Sequence, residues 1–578
     1  MHPRSSFIVN GFAVSRRAVI IPLLVLALTS TLFFALYQHH RFRGLTDATA
    51  MEHAQLGRVL AEEGVYHTRL LRPVAVGALA RRHPERGIED GVPELGHPPL
   101  YPAILGSAFR IVQPDFTVHP HARSFQPETR VLLPLGWIFT LATAILLFLA
   151  ADRFFDRRIA TLAPLAFLLS HTVLERTLSG RPDAMAAFFA TAAFSVGLLA
   201  VHRHSGNAGS VYRAAAVAVV AGILSGLAVL TEYSLILMAA APLLACSLAV
   251  DTSGRRALVI GLFMAALMTV IAPWILRNIQ LSGHPFGLAQ LAWYRDSAIF
   301  PAHRIDRSLT WNPEAVPFGT LLRARWLHGL SHAGWMTRWF AATEAVFPAL
   351  ALAALWLSGM PRQYRLLRWP LLAAALLLLT VEPVLAATQP GRFLYPLLPW
   401  IILLGCVALI HLLDRMAAEW PVIRQSVCAA ALLLHAAPVI AALLGPRPPL
   451  PYPPLYPPFV AAVCDLVEND ELMVSDLPWA TAWYGNQRSL WLPNTLDELY
   501  TVNDRHQTIA ALYLTTETSA RPYVGDLRDG AHSDWLPFVE GRLPEGFPLT
   551  DALQLPPGRQ DQIVFIGPGR IAAEPPLE

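Results

Sequence analysis

Lysine does not occur in this 578-residue chain, so all 44 of its Lys-plus-Arg positions are arginine. That is a compositional habit and says little about mechanism. Charge is scarce too: 15% of residues are charged against 54% hydrophobic, and mean hydropathy is +0.43, too apolar for a soluble enzyme of this length. The formal net charge of +3 provides no basic surface for nucleic acid. Only four cysteines are present; Cys246, Cys406 and Cys428 fall in apolar runs and Cys464 stands alone, so neither a disulfide framework nor a zinc spacing follows. The chain also lacks an internal repeat, a glycine fingerprint for nucleotides and a serine nucleophile elbow.

What it has is apolar spans. About eleven can be laid out, near 18–37, 130–150, 159–177, 182–202, 211–230, 233–250, 256–276, 341–358, 369–387, 392–412 and 424–444. Each comes close to the length needed to cross ~30 Å of hydrocarbon at ~1.5 Å per residue. The first follows Arg16 and Arg17 and runs into Gln38-His39-His40-Arg41, which reads as an anchor and not as a cleavable signal peptide. With the N-terminus inside, the inner loops carry Arg153, Arg157 and Arg158; Arg203 and Arg213; Arg255 and Arg256; Arg362, Arg365 and Arg368; and Arg415 and Arg424. Five loops thus obey the positive-inside bias. Three outer turns remain, at 179–183, 231–233 and 389–392. Arg181 and Arg392 there run against the bias, so topology does not explain them.

The fold class expected is an α-helical polytopic membrane protein with a large first extracytoplasmic loop and a small C-terminal α/β soluble domain. The membrane domain covers 1–445, with outside loops at 41–129 and 277–340. The proline-rich stretch 446–458 reads as a stiff polyproline II spacer, or as a proline-rich ligand for another protein. Residues 459–578 regain soluble character, with strand-like runs at 472–475, 510–513 and 563–566.

Asp47 opens an amphipathic helix ending near Gly64, with Met51, Ala54, Leu56, Val59 and Leu60 turned toward bilayer or core. It has two readings, a helix N-cap and a functional carboxylate at the membrane interface. Farther on, His97-Pro98-Pro99-Leu100-Tyr101-Pro102 is a rigid turn into a second apolar stretch, 103–112. Arg277 reads either as an arginine snorkelling at a span end or as a ligand; Arg181 either pairs with Asp183 or binds substrate. Glu232 lines a cavity or is a solvated turn carboxylate. Glu175 and Arg176 read as a buried pair. His119 and His121 are spaced for a metal but lack a third ligand. His202-Arg203-His204 reads as a basic membrane-edge cluster. Trp479, Trp483, Tyr484 and Trp491 either stack on sugars or form the core of a small domain.

Taken in order, Asp47, Gly64-Val65-Tyr66, the His97 to Pro102 turn, Arg181-Pro182-Asp183, Pro273-Trp274-Ile275-Leu276-Arg277-Asn278 and Gly391-Arg392-Phe393-Leu394-Tyr395-Pro396 resemble the polytopic glycosyltransferases of the GT-C superfamily. The likeness is to the branch with protein O-mannosyltransferases and the bacterial aminoarabinose transferase, and it covers roughly residues 10–415. It implies transfer of a sugar, with inversion, from a polyprenyl-phosphate donor, driven by an acidic residue of the first outside loop. Asp47 matches that residue, and Asp183 stands where the family often has a second acid near the catalytic centre. His97, Tyr101, Arg181, Glu232, Arg277 and Arg392 are the implied substrate-binding side chains. One departure is that Ala48 stands where a further acid often follows the Asp; either Glu52 compensates or the acceptor differs.

Expected partners are the lipid-linked donor, membrane lipids and a glycan, lipid or protein acceptor, without nucleic acid. No residue pattern fixes a cofactor, although a divalent metal is compatible with the family. The expected location is the bacterial inner membrane, with the N-terminus cytoplasmic and the C-terminal domain periplasmic. The rival readings are a secondary transporter or lipid-linked-sugar flippase, for which repeated halves and midplane charges would speak, and a non-catalytic scaffold. The topology is checked by reporter fusions at 205, 300 and 520: the first should report the cytoplasm and the other two the outside. A cytoplasmic signal at 520 would remove one span.

Overall fold

A computed structural model describes residues 6–9, 12–119, 124–201, 209–250, 252–295, 299–301, 303–310, 316–327, 346–357, 359–385, 392–416, 419–520, 523–530, 532–555 and 559–570. The chain divides into two compact units: 1–42, 133–273 and 330–448 form the first, and 43–132, 274–329 and 449–578 form the second. The sequence reading assigned the loops 41–129 and 277–340 to the membrane domain, whereas most of both groups here with the C-terminal residues.

Apart from a hairpin of Ser6–Val9 and Phe12–Ser15, the first unit is helical. Among the described residues, eight helices are long and apolar enough to cross a membrane, including Asp183–Ala200, Val211–Thr231, Ser253–Ser282, Tyr395–Met416 and Pro421–Leu444. Three of the eleven expected spans are not among them. The 159–177 stretch is two helices, Arg157–Leu168 and His171–Leu178, because Ser170 caps the second by accepting from Val173 N at 3.2 Å. The 233–250 stretch breaks into Leu235–Met238 and Ala240–Leu248. The 341–358 stretch shows an eight-residue helix, Val346–Ala353; residues 341–345 and 358 lie outside the described residues.

Exposed apolar side chains here are in their proper solvent. Leu24, Leu28, Leu32 and Leu36 recur every fourth residue along the first helix and are all exposed, a stripe suited to hydrocarbon and not to water. Between helices, small residues allow close approach, since lipid supplies no hydrophobic drive for association. A Cβ on Gly405 would lie 2.1 Å from the Phe347 carbonyl oxygen, and one on Gly222 2.4 Å from that of Phe263.

The second unit is built on a six-stranded sheet. Its order is Leu70–Leu71, Arg488–Trp491, Leu472–Ser475, Ile509–Leu514, Gln562–Ile566 and Asp551–Leu555. The first four are mutually parallel and the last two join antiparallel. Leu472–Ser475 and Ile509–Leu514 are buried at every position, as expected for parallel strands covered on both faces. The edge strand Leu70–Leu71 comes from the first loop, pairing Leu70 with Ser489 and Leu71 with Leu490. Leu288, Leu291, Ile305 and Leu309 of the second loop share a core with Leu472, Leu490, Leu512 and Phe565. Three distant segments therefore make one hydrophobic core.

Gly405→Leu should lower stability by about 1–3 kcal/mol, the usual range for overpacking, because the added side chain must push the Val346–Ala353 helix away. Gly261→Leu, whose Cβ would meet nothing within 4 Å, should leave stability unchanged. Thermal unfolding in detergent checks the pair.

Candidate active site

The sequence-predicted residues fall into two groups, one in each unit. In the second unit, Asp47 is the N-cap of the Ala48–Glu62 helix, its Oδ1 accepting from Ala50 N at 3.1 Å. Met51, Ala54, Leu56 and Val59 of that helix are buried and Leu60 half-buried. They face protein: a Cβ on Gly57 would lie 2.7 Å from Leu105 Cβ of the Leu100–Val112 helix.

On the same helix Glu52 is a buried carboxylate, 7% exposed. Arg72 donates to its Oε2 at 2.6 Å, and His97 Nε2 pairs with the same oxygen at 2.5 Å. Burial pushes the Glu52 carboxyl up, but the Arg72 guanidinium and the His97 ring together outweigh it and hold the acid well below the usual carboxylate range. Arg72 Nε lies 3.7 Å from Asp306 Oδ1, which Arg295 also approaches at 2.7 Å. Burial would lower Arg72, but Glu52, Asp306 and Glu94 raise it.

The turn carrying His97 is fixed from several sides. Glu94 Oε1 accepts from the backbone N–H groups of Gly96 at 2.5 Å and His97 at 2.9 Å, and Tyr66 donates to the Pro98 carbonyl at 3.3 Å. The His53 ring lies 4.5 Å from that of His97 and 5.5 Å from that of Tyr101. Tyr101 is buried against this stack, at 2% exposure. Arg277 donates to the Glu94 carbonyl at 2.8 Å and lies over the Trp274 ring at 4.4 Å, so it is built into the structure and not merely extended toward an interface.

In the first unit the three turns predicted to lie outside converge. Arg176 donates to Asp183 Oδ2 at 2.9 Å, and Arg181 Nε is 3.6 Å from the same oxygen. Asp183 sits in the first turn of the Asp183–Val201 helix, where the helix dipole favours a carboxylate. Arg392 donates to Glu232 Oε2 at 2.9 Å and also acts electrostatically on Asp183. Arg181 and Asp183 are both 5% exposed, whereas the Arg392 and Glu232 side chains each keep 23%. Gly391 lies outside the described residues.

Two other expectations change. Glu175 and Arg176 do not pair with each other: Glu175 accepts from Tyr37 Oη at 2.6 Å and lies 3.6 Å from Arg41 Nε, while Arg176 turns to Asp183. Neighbours on a helix point about 100° apart, so adjacent opposite charges find separate partners. Trp483 and Tyr484 are core residues that donate to the fully buried Glu128 Oε1 at 3.0 and 2.8 Å. Trp491 is buried, and Trp479 is half-buried with its ring edge-on to it.

Sequence reasoning missed Arg72, Asp306 and Glu128. Arg72 carried a signal, an arginine directly after an apolar pair and before Pro73; the 234 residues separating it from Asp306 offered none. His119 pairs with Asp115 at 3.0 Å, while His121 and the 202–204 cluster lie outside the described residues. Among the described residues no group of three or more His, Cys, Asp or Glu could hold a metal ion.

The fold is shared with solved structures of other proteins. Two particular proteins carry the likeness. ArnT from Cupriavidus metallidurans, bound to undecaprenyl phosphate, superposes with a TM-score of 0.56 over 97% of this chain and 100% of its own at 11% identity. Its apo state gives 0.55, over 96% and 98%, at 12% identity. The Archaeoglobus fulgidus oligosaccharyltransferase, in complex with Zn and sulfate, gives 0.53 over 87% of this chain and 69% of its own at 13% identity. At such identities the likeness establishes the fold. Comparison by sequence matches no family profile and no curated protein.

Proposed function

We propose that this protein is a membrane glycosyltransferase that moves a sugar, with inversion, from a polyprenyl-phosphate-linked donor to an acceptor on the outer face of the bacterial inner membrane. The observation that carries this reading is the gathering of Arg181, Asp183, Glu232 and Arg392 from three separate turns, with Arg176 of the His171–Leu178 helix, in a fold shared with a protein crystallised with undecaprenyl phosphate. Among the described residues the cluster brings three guanidiniums together with two carboxylates. Guanidiniums beside apolar helices suit a phosphate attached to a hydrocarbon tail.

A lipid phosphate is already an adequate leaving group. The work left to the enzyme is to remove a proton from the acceptor hydroxyl and to stabilise charge as the phosphate departs. Asp47 takes the proton; the acceptor oxygen bonds to the anomeric carbon as the bond from that carbon to the phosphate oxygen breaks, and the carrier leaves as the phosphate anion. Arg392 binds that phosphate. It is chosen over Arg181 because its partner Glu232 is more accessible and a phosphate can share or displace it, whereas Arg181 and Asp183 are buried together. Arg277, held by the Glu94 carbonyl and the Trp274 ring, is a weaker candidate for binding substrate.

Asp47→Asn keeps the cap but removes the base, so transfer should fall by about 10²-fold or more while the protein still folds. Turnover is measured with the lipid-linked sugar that copurifies with the wild type, and near-normal rates would exclude Asp47 as the base. Binding of undecaprenyl phosphate in nanodiscs of neutral lipid tests Arg392: the Lys variant should bind moderately more weakly, having lost bidentate geometry, and the Ala variant severely so. Equal affinity in all three proteins would leave Arg392 as a brace for the helix ends.

A further inference from the structure

Glu52 stands five residues beyond Asp47, and its interactions are not those of a surface helix carboxylate. It is buried, its Oε2 is shared by Arg72 and His97, and Arg72 is in turn flanked by Asp306, which Arg295 holds. Four ionic residues from three distant segments thus lead to one imidazole. Glu52 is an anion and can only accept, so the hydrogen bond at 2.5 Å requires the proton on His97 Nε2. In the neutral ring the proton occupies one nitrogen, and Nδ1 is then an acceptor. The ring cannot easily turn to exchange the two, because Glu94 holds its backbone N–H at 2.9 Å and the His53 ring packs against it at 4.5 Å. The His97 side chain retains 18% exposure, so the ring is anchored but reachable.

We propose that Glu52 is a positioning residue that fixes His97 as the Nε2–H tautomer, and that His97 Nδ1 accepts a hydrogen bond from a sugar hydroxyl of the lipid-linked donor. This rests on the proposed transferase reading. It gives Glu52 a role other than that of a second acid in place of Ala48: the carboxylate acts through the imidazole and does not itself meet the sugar. Arg72 and Asp306 serve the same arrangement one step removed, by keeping Glu52 ionised and in place.

The tautomer is read directly by ¹⁵N solid-state NMR of histidine-labelled protein in bilayers at pH 8, with His97 assigned by its loss in His97→Gln. Wild type should show Nε2–H. In Glu52→Gln the amide can donate to Nε2, so signal should move to the Nδ1–H form; Asp306→Asn, which leaves Glu52 in place, should show a smaller shift and covers the case in which Glu52→Gln does not fold. An unchanged His97 signal in both variants, or a wild-type Nδ1–H ring, overturns the positioning role.

Undecaprenyl phosphate has no sugar, so its binding should stay within about twofold of wild type in Glu52→Gln and His97→Gln. Transfer should fall on the order of tenfold to a hundredfold in each. The double variant should be no worse than His97→Gln alone, because Glu52 acts through His97. Additive losses, or weakened binding of the bare carrier, would overturn the proposal. Wild-type protein that neither binds the carrier nor transfers a sugar would instead refute the transferase reading, and the NMR result would stand on its own.

Discussion

The cost of a charge in an apolar medium governs both units of this protein. An isolated ion loses several kcal/mol on leaving water, so a buried charge persists only with a partner and enough hydrogen bonds. In the helical unit this confines Arg176, Arg181, Asp183, Glu232 and Arg392 to the ends of apolar helices and forces them together. Asp183 gains further from its place in the first turn of a helix, where backbone N–H groups point toward it. Such a cluster is expensive to maintain for stability alone.

The second unit meets the same constraint in three ways. Glu52 is satisfied by an ion pair with Arg72 and by the His97 ring. Asp476, at the end of the Leu472–Ser475 strand, accepts from the backbone N–H and hydroxyl of both Thr515 and Thr518, at 2.7 to 3.1 Å. Glu128 accepts from Trp483 and Tyr484. Each arrangement ties together positions distant in sequence: 52 with 72 and, through Arg72, 306; 476 with 515–518; 128 with 483–484. These polar ties lie alongside the shared apolar core and specify which segment meets which, a demand that hydrophobic burial alone does not make.

The membrane helices were legible because a run of apolar residues with arginine at one end needs no tertiary information. The misread stretches were those where a local signal competed: Ser170 as a cap divided 159–177, and the short Leu235–Met238 turn interrupted 233–250. The strands at 472–475, 510–513 and 563–566 were visible from their apolar runs, but Leu70–Leu71 was not, since two residues carry no period and only pairing with Ser489 and Leu490 makes them a strand. Arg181 and Arg392 could be nominated because arginines in turns expected to lie outside run against the positive-inside bias, and Asp183 because it matches an acid of the family pattern. Asp306 could not, because a partner 234 residues away leaves no local trace.

On the proposed function, the difference between the two ion pairs of the helical cluster decides how a phosphate enters it. Opposite unit charges about 4 Å apart attract by roughly 4 kcal/mol at an effective dielectric near 20 and by roughly 1 kcal/mol in water. The buried Arg181 and Asp183 lie toward the first regime, so separating them costs more. Arg392 and Glu232 lie toward the second, with side chains still 23% exposed. An anion arriving at Arg392 exchanges one partner for another while Glu232 recovers water, so the change in electrostatic balance is small and reversible. A carrier phosphate that must be bound for transfer and released afterward requires that reversibility, and the more accessible pair supplies it while the buried pair keeps the turns in register.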